Sequence, residues 1–129
     1  MTQKFDLEER LLAYAARIIR LVEKLPATRA GNHVAGQLLR SGTSPLPNHA
    51  EAQAAESRKD FVHKLKICHK ELLESRRWLR LTQVSNLIKP PLVQGLVDET
   101  SELILIFAAS LRTAGEEKIE SQARPDPRT

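Results

Sequence analysis

Apolar side chains recur every three or four positions through four stretches of this chain, the period of a single helical face, and so predict four helices. In the first, Leu7, Leu11, Tyr14, Ile18, Leu21 and Leu25 form a near-heptad seam behind a cap at Asp6, and Pro26 ends it. The second begins near Thr28 and runs to about Ser41 with Val34, Leu38 and Leu39 inward, after which Gly42, Pro45 and Pro47 interrupt the pattern. First-turn amides have no intrahelical acceptor to lose, so both prolines fit the start of a helix restarted behind Ser44. A kinked helix is the alternative, and either continues to about Glu56. The third runs from a cap at Ser57 to about Val84, and Ser85, Asn86 and the Pro90, Pro91 pair mark the connection that follows. The fourth starts near Pro91, turns Val93, Leu96, Val97, Leu103, Ile104, Phe107 and Leu111 inward, and meets a fitting stop at Gly115. Joined by short connections, such helices make an all-α, antiparallel up-down-up-down four-helix bundle over residues 1–115. Residues 116–129, charged and ending in ARPDPRT, read as a disordered tail.

The third helix carries three differently composed stripes. Phe61, Leu65, Cys68, Leu72 and Leu79 share a face and predict the core seam. Lys59, His63, Lys66, Lys70 and Arg77 share another, flanked by Arg58, Arg76 and Arg80, and point to solvent or an anion. Asp60, Lys64, Ile67, Glu71 and Trp78 form a third, mixing charge, aliphatic and aromatic groups, which suits a protein contact better than a core or a plain solvated face. On the fourth helix Leu105, Ile106 and Ala109 remain after the inward face is assigned. A helix apolar around most of its girth has more than one buried contact, so Leu105 and Ile106, with Ile67 and Trp78, are the expected contacts between subunits.

At 129 residues the chain has the length of one domain, and its few aromatics, sparse Gly and many charged residues fit helices packed on helices. The lone Cys68 cannot form an intrachain disulfide, and with no secretory signal at the N-terminus the expected location is a reducing cytoplasm. The longest apolar run, Leu103 to Ala109, covers as a helix only about a third of a bilayer, so no membrane partner is expected. Net charge is +4, yet Ser57 to Gln83 holds eight Lys or Arg against Asp60, Glu71 and Glu74, a local balance of +5 that leaves −1 for the rest. Positive charge is therefore concentrated on one helix. Solvated helical faces are commonly charged and Lys70 with Glu74 is an ordinary i, i+4 pair; the asymmetry is what favours phosphate binding.

Catalytic signatures are missing: there is no nucleophile elbow, Gly-rich phosphate loop, Cys pair or H-E-x-x-H helix, and the expectation is a non-enzymatic protein without cofactor. His63, Cys68 and His69 are poor metal ligands because Cys68 lies in the core seam while His63 lies in the basic stripe. His49 near Glu51 and Glu56 suggests an acid–base or metal site that lacks a third convergent ligand. Asn48 and Glu51 follow a proline-rich break, where capping of loose backbone groups is the plain role, and Arg40 is placed to pair with Glu51 or a helix-terminal carboxylate. Trp78 can stack on a base or anchor a subunit contact, and the latter fits its neighbour Ile67 better.

The stretch RSGTSxxxNxAEA from Arg40 to Ala52, the run S-R-K-D-F-x-x-K-L from Ser57 to Leu65, Glu71 and Trp78–Leu79 together resemble a small four-helix-bundle family. It is named from reading frames in the intervening sequences of bacterial 23S ribosomal RNA genes. Arg40, Asn48, Glu51, Asp60, Lys64 and Glu71 carry the motif, and the likeness spans Phe5 to about Ala114. It implies a closed ring, usually a pentamer, with a basic surface and a suspected nucleic-acid role; the retroelement accessory variability determinant, a structural cousin, binds RNA and reverse transcriptase. Pro45, Pro47 and His49 depart from the family pattern, the first and last replacing aliphatic residues. The reading that follows is an oligomeric scaffold binding structured RNA through Arg58, Lys59, His63, Lys66, Lys70, Arg77 and Arg80. Its rival is an adaptor whose basic stripe docks an acidic protein.

Overall fold

The computed structural model describes the backbone of residues 6–123 and the side chains of residues 6–115. The protein is all-α, with no strand among the described residues: α1 Leu7–Val22, α2 Arg29–Thr43, α3 Pro45–Gln53, α4 Arg58–Val84 and α5 Pro90–Ala123. Short polar side chains start three of them. Asp6 accepts from the Glu9 amide at 3.1 Å, Thr28 from Gly31 at 3.0 Å and Ser57 from Asp60 at 3.1 Å, each filling one of the donors that a helix start leaves open. The first helix stops at Val22, not Leu25, because the amides of Lys24 and Leu25 reach back only three residues, to Leu21 and Val22, ahead of Pro26.

The proline-rich break is a joint inside nearly continuous helix. A single residue, Ser44, separates α2 from α3, and its φ of −59° and ψ of −39° are helical. Its amide still bonds the Arg40 carbonyl at 3.1 Å, while the Asn48 amide reaches the Ser44 carbonyl at 3.3 Å. Ser44 therefore does not cap a restarted helix, and its side chain makes no cap bond. Four helical rods result, the second jointed at residue 44. Against this joint α1 approaches closely: a Cβ at Gly42 would stand 2.7 Å from the Ile18 side chain, so any larger residue there would push the helices apart.

Gly115 does not stop the last helix. No glycine here has a positive φ, and α5 continues to Ala123. One interior glycine costs a helix only about 0.5–1 kcal/mol, and the following Glu116, Glu117 and Lys118 are good helix formers. Of the expected disordered tail, residues 116–123 are helical and 124–129 lie outside the described residues.

Contacts between rods fix the site. Arg58 meets Ala114, Arg76 meets Ser101 and Gln83 meets Pro90, so α4 and α5 touch in opposite chain order. Lys64 meets Glu51, Cys68 meets Pro45 and Ser75 meets Ser41, which sets α4 against α3 and α2 in the same reversed manner. Leu11, Ile18, Leu38, Leu72, Leu79, Leu103 and Phe107 fill the shared centre. Besides the buried Ser41–Ser75 pair, Tyr14 Oη is 2.7 Å from Thr100 Oγ1, which itself donates to the Leu96 carbonyl, and burial pushes the phenol up to about 12.

Candidate nucleic-acid interface

Because α4 buries Leu65, Cys68, Leu72 and Leu79, helical geometry turns Lys59, His63, Lys66, Lys70 and Arg77 outward, and all five are exposed. Two of the three acids of the same helix are drawn elsewhere. Arg40 of α2 donates through Nη1 to Glu71 Oε2 at 3.0 Å and through Nη2 to Glu74. These carboxylates raise the Arg40 pKa, Glu74 first. Two expectations are thereby corrected: Arg40 pairs with Glu71 and Glu74, not Glu51, and Glu74 is held by Arg40, not Lys70. Glu51 instead receives Lys64 at 2.6 Å. Among the described residues, Lys59, Lys66, Lys70 and Arg77 form no ion pair. The flanking cations are engaged locally: Arg58 donates to the Ala114 carbonyl at 3.0 Å, and Arg80 to Gln83 Oε1 at 2.7 Å.

The mixed stripe faces its own chain. Lys64 reaches Glu51, Glu71 reaches Arg40, and the Trp78 ring stands edge-to-face with His33 of α2, centroids 5.8 Å apart. Trp78 also packs on the core, and its Nε1 is buried without a partner among the described residues. Ile67 is half-buried and Asp60 is exposed in the first turn. Asn48 donates to both the carbonyl and the hydroxyl of Ser44, at 2.9 and 3.0 Å, pinning the joint. Arg40 with Glu71 and Glu51 with Lys64 thus bind α4 to α2 and α3 while Asn48 pins the joint; the sequence suggested structural roles for Arg40, Asn48 and Glu51, with other partners.

His49 is buried, 8% exposed, edge-to-face with Phe107 at 6.2 Å. Its Nδ1 has no partner among the described residues, and burial lowers its pKa. The adjoining cleft of about 400 Å³ takes its charge from Asp6 and Glu8, while Glu51 is turned to Lys64, so His49 and Glu51 do not share a site. Cys68 is fully buried, its thiol 3.6 Å from the Pro45 carbonyl and pushed up to about 12 by burial, whereas His63 is exposed. Among the described residues no three His, Cys, Asp or Glu groups converge as metal ligands, and no helix is long and apolar enough to cross a membrane.

On α5, Leu105 is 69% exposed and Ala109 is exposed, but Ile106 packs partly against the core. The sequence reading turned Leu39 inward, and it is exposed. It also gave no role to Leu12 and Ile19, exposed at i, i+7 on α1, or to Arg17, Arg20 and Lys24, which gather at one cleft. The α1 spacing was visible; Leu92 and Leu96, which complete the cleft, come from far along the chain.

Jointed helical rods, a motif that locks α4 to α2 and α3, and a solvent-facing cationic stripe define a small all-α protein with a basic face. The family model described as 23S rRNA-intervening sequence protein matches residues 3–109, and the chain belongs to that family. It is similar to a crystal structure of a protein of unknown function from the S23 ribosomal protein family of Bacteroides thetaiotaomicron, at 30% identity and a TM-score of 0.77, over 82% of this chain and 98% of that one. No curated protein matches it.

Proposed function

We propose that this protein is an up-down-up-down bundle that self-associates into a ring, a pentamer as the family resemblance implies, and binds nucleic acid, specifically structured RNA, through the basic face of α4. The carrying observation is that Lys59, Lys66, Lys70 and Arg77 are exposed and unpaired among the described residues while the helix's Glu71 and Glu74 are held by Arg40. Unpaired surface cations attract phosphates and release their counterions, and a ring multiplies the contacts. The reversed order of contacts between neighbouring rods supports the bundle topology. The exposed Leu105 supports self-association. Trp78 does not serve as a base platform in this reading, since its ring is engaged by His33 and the core.

A second reading has an observation of its own. Leu81 and Val84, 45% and 70% exposed, extend the basic stripe with apolar surface, which suits an acidic protein partner better than a phosphate backbone. Retention of the purified protein on structured RNA at low salt, lost steeply as salt rises, supports the first reading; no retention leaves the adaptor.

A further inference from the structure

We propose that the cleft between the end of α1 and the start of α5 binds a compact phosphorylated anion, a diphosphate or a terminal phosphate monoester, through Arg17, Arg20 and Lys24. The cleft holds about 180 Å³ and is lined by these three cations together with Leu21, Leu92 and Leu96, of which Leu21 and Leu96 are buried. Arg20 follows Arg17 by three residues, so α1 stacks the two on adjacent turns, where like charges repel, and the turn after the helix adds Lys24 at the same cleft. Among the described residues none of the three side chains makes an ion pair or hydrogen bond. Glu99 feels the charge of Arg17, yet both its oxygens are committed to Arg10, at 2.9 and 2.6 Å.

Cations near a helix C-terminus complement its dipole, and that accounts for Arg20 and Lys24 at the end of α1. It does not account for Arg17, which lies further back. Arg17 is half-buried, and its Nη2 would stand 3.3 Å from a Cβ at Gly95, so the guanidinium rests against α5 where that helix lacks a side chain. A positioned, partly dried guanidinium with open donors matches the fork geometry of phosphate oxygens. The buried Leu21 and Leu96 beside it lower the local dielectric, which strengthens the attraction. Size and charge select the ligand. The volume equals that of about six waters and falls short of the roughly 300 Å³ at which drug-sized ligands begin, so the cleft takes phosphate groups and any nucleoside carried on them lies outside it. Three converging cations call for more than one negative charge.

This site lies on other helices than the α4 face and does not rest on the RNA reading. Calorimetric titration of the full chain with inorganic pyrophosphate at low salt tests it. The parent should bind, Arg20→Gln/Lys24→Gln should bind at least about tenfold more weakly, and Arg17→Lys, which keeps the charge and removes the fork, should also weaken. Lys59→Glu/Lys66→Glu/Lys70→Glu/Arg77→Glu, altered only on α4, should bind pyrophosphate within about threefold of the parent. Arg20 and Lys24 are exposed, so their replacement leaves the fold intact, as a thermal melt will verify. Displacement of pyrophosphate by a 5′-phosphorylated oligoribonucleotide, and not by its 5′-hydroxyl twin, upholds the site with a nucleic-acid end as source. Displacement by neither upholds it with a free diphosphate. No heat of binding, equal affinity in Arg20→Gln/Lys24→Gln, or loss in the α4 variant overturns the proposal.

Discussion

At the scale of single residues, His49 is where local chemistry opposes the fold. It occupies a core position against Phe107, and Nδ1 has no partner among the described residues. Leaving such a group unsatisfied costs about 1–3 kcal/mol. Burial lowers its pKa below the ordinary 6.5, so the unfolded chain takes up a proton at a higher pH than the folded one. Stability from this group is therefore whole above about 6.5 and declines as pH falls below it. His49→Leu should raise stability by about 1 kcal/mol and flatten the decline in melting temperature between neutral and mildly acid pH. The remaining acid loss should then begin lower, near the ordinary carboxylate 4.5 where Glu99 of the unfolded chain takes up its proton while Arg10 still holds the folded carboxylate charged. An unchanged pH slope in His49→Leu would show that other groups govern the response. The sequence marked His49 as unusual, but not its surroundings: Asp6 and Glu8 come to it from another helix, while Glu51, its neighbour in sequence, turns to Lys64. Cys68 was legible because its place in the apolar seam decides both its burial and its inertness.

At the scale of elements, period and caps disclosed most of the helices, and the misreadings fall where one residue permits two outcomes. Proline fits a first turn, but its fixed φ also fits a helix that passes straight through. Here Ser44 stays helical, and tertiary contacts at Ser41 and Pro45 with α4 hold the joint in place. Pro47 is exposed, so Pro47→Ala should restore an amide toward the Thr43 carbonyl without opening a cavity. That bond is worth about 1 kcal/mol, partly offset by the greater freedom of the unfolded chain. The expected result is a modestly higher melting temperature; a lower one would mean that the proline is better suited to the joint than a helical alanine. Pro45 is fully buried, so Pro45→Ala also removes packing and should be neutral or destabilising. Gly115 misled for a related reason: glycine ends helices by taking positive φ, and the helix formers beyond it make continuation the cheaper course.

At the scale of the whole molecule, the three stripes of α4 were legible, but which neighbour each would meet was not. Periodicity separates faces without naming what covers them: the mixed stripe reads as a protein contact, and within the chain Arg40, Glu51 and His33 meet Glu71, Lys64 and Trp78 on it, while Ile67 is half-buried and Asp60 exposed. The same ambiguity affects Ile106, which packs on the core, whereas Leu105 points to solvent. Leu105→Glu is thus the sharper assembly test: it should leave the melting behaviour of the subunit intact and give smaller species in native mass spectrometry, since a charge in a dry contact costs several kcal/mol. An unchanged oligomer would remove Leu105 from the interface. The α4 face sets the final prediction. Glu71 and Glu74 belong to Arg40, so Lys59, Lys66, Lys70 and Arg77 present charge that the fold does not use. Replacing all four by Glu should preserve helicity and reverse the local field. RNA retention should vanish, and partial reversals should lower the salt dependence of binding by about 0.7–0.9 in logarithmic slope per lost phosphate contact. Normal RNA affinity in the four-fold variant would move the interface off α4, and a parent that binds no RNA at low salt would leave the acidic protein partner as the reading of this face.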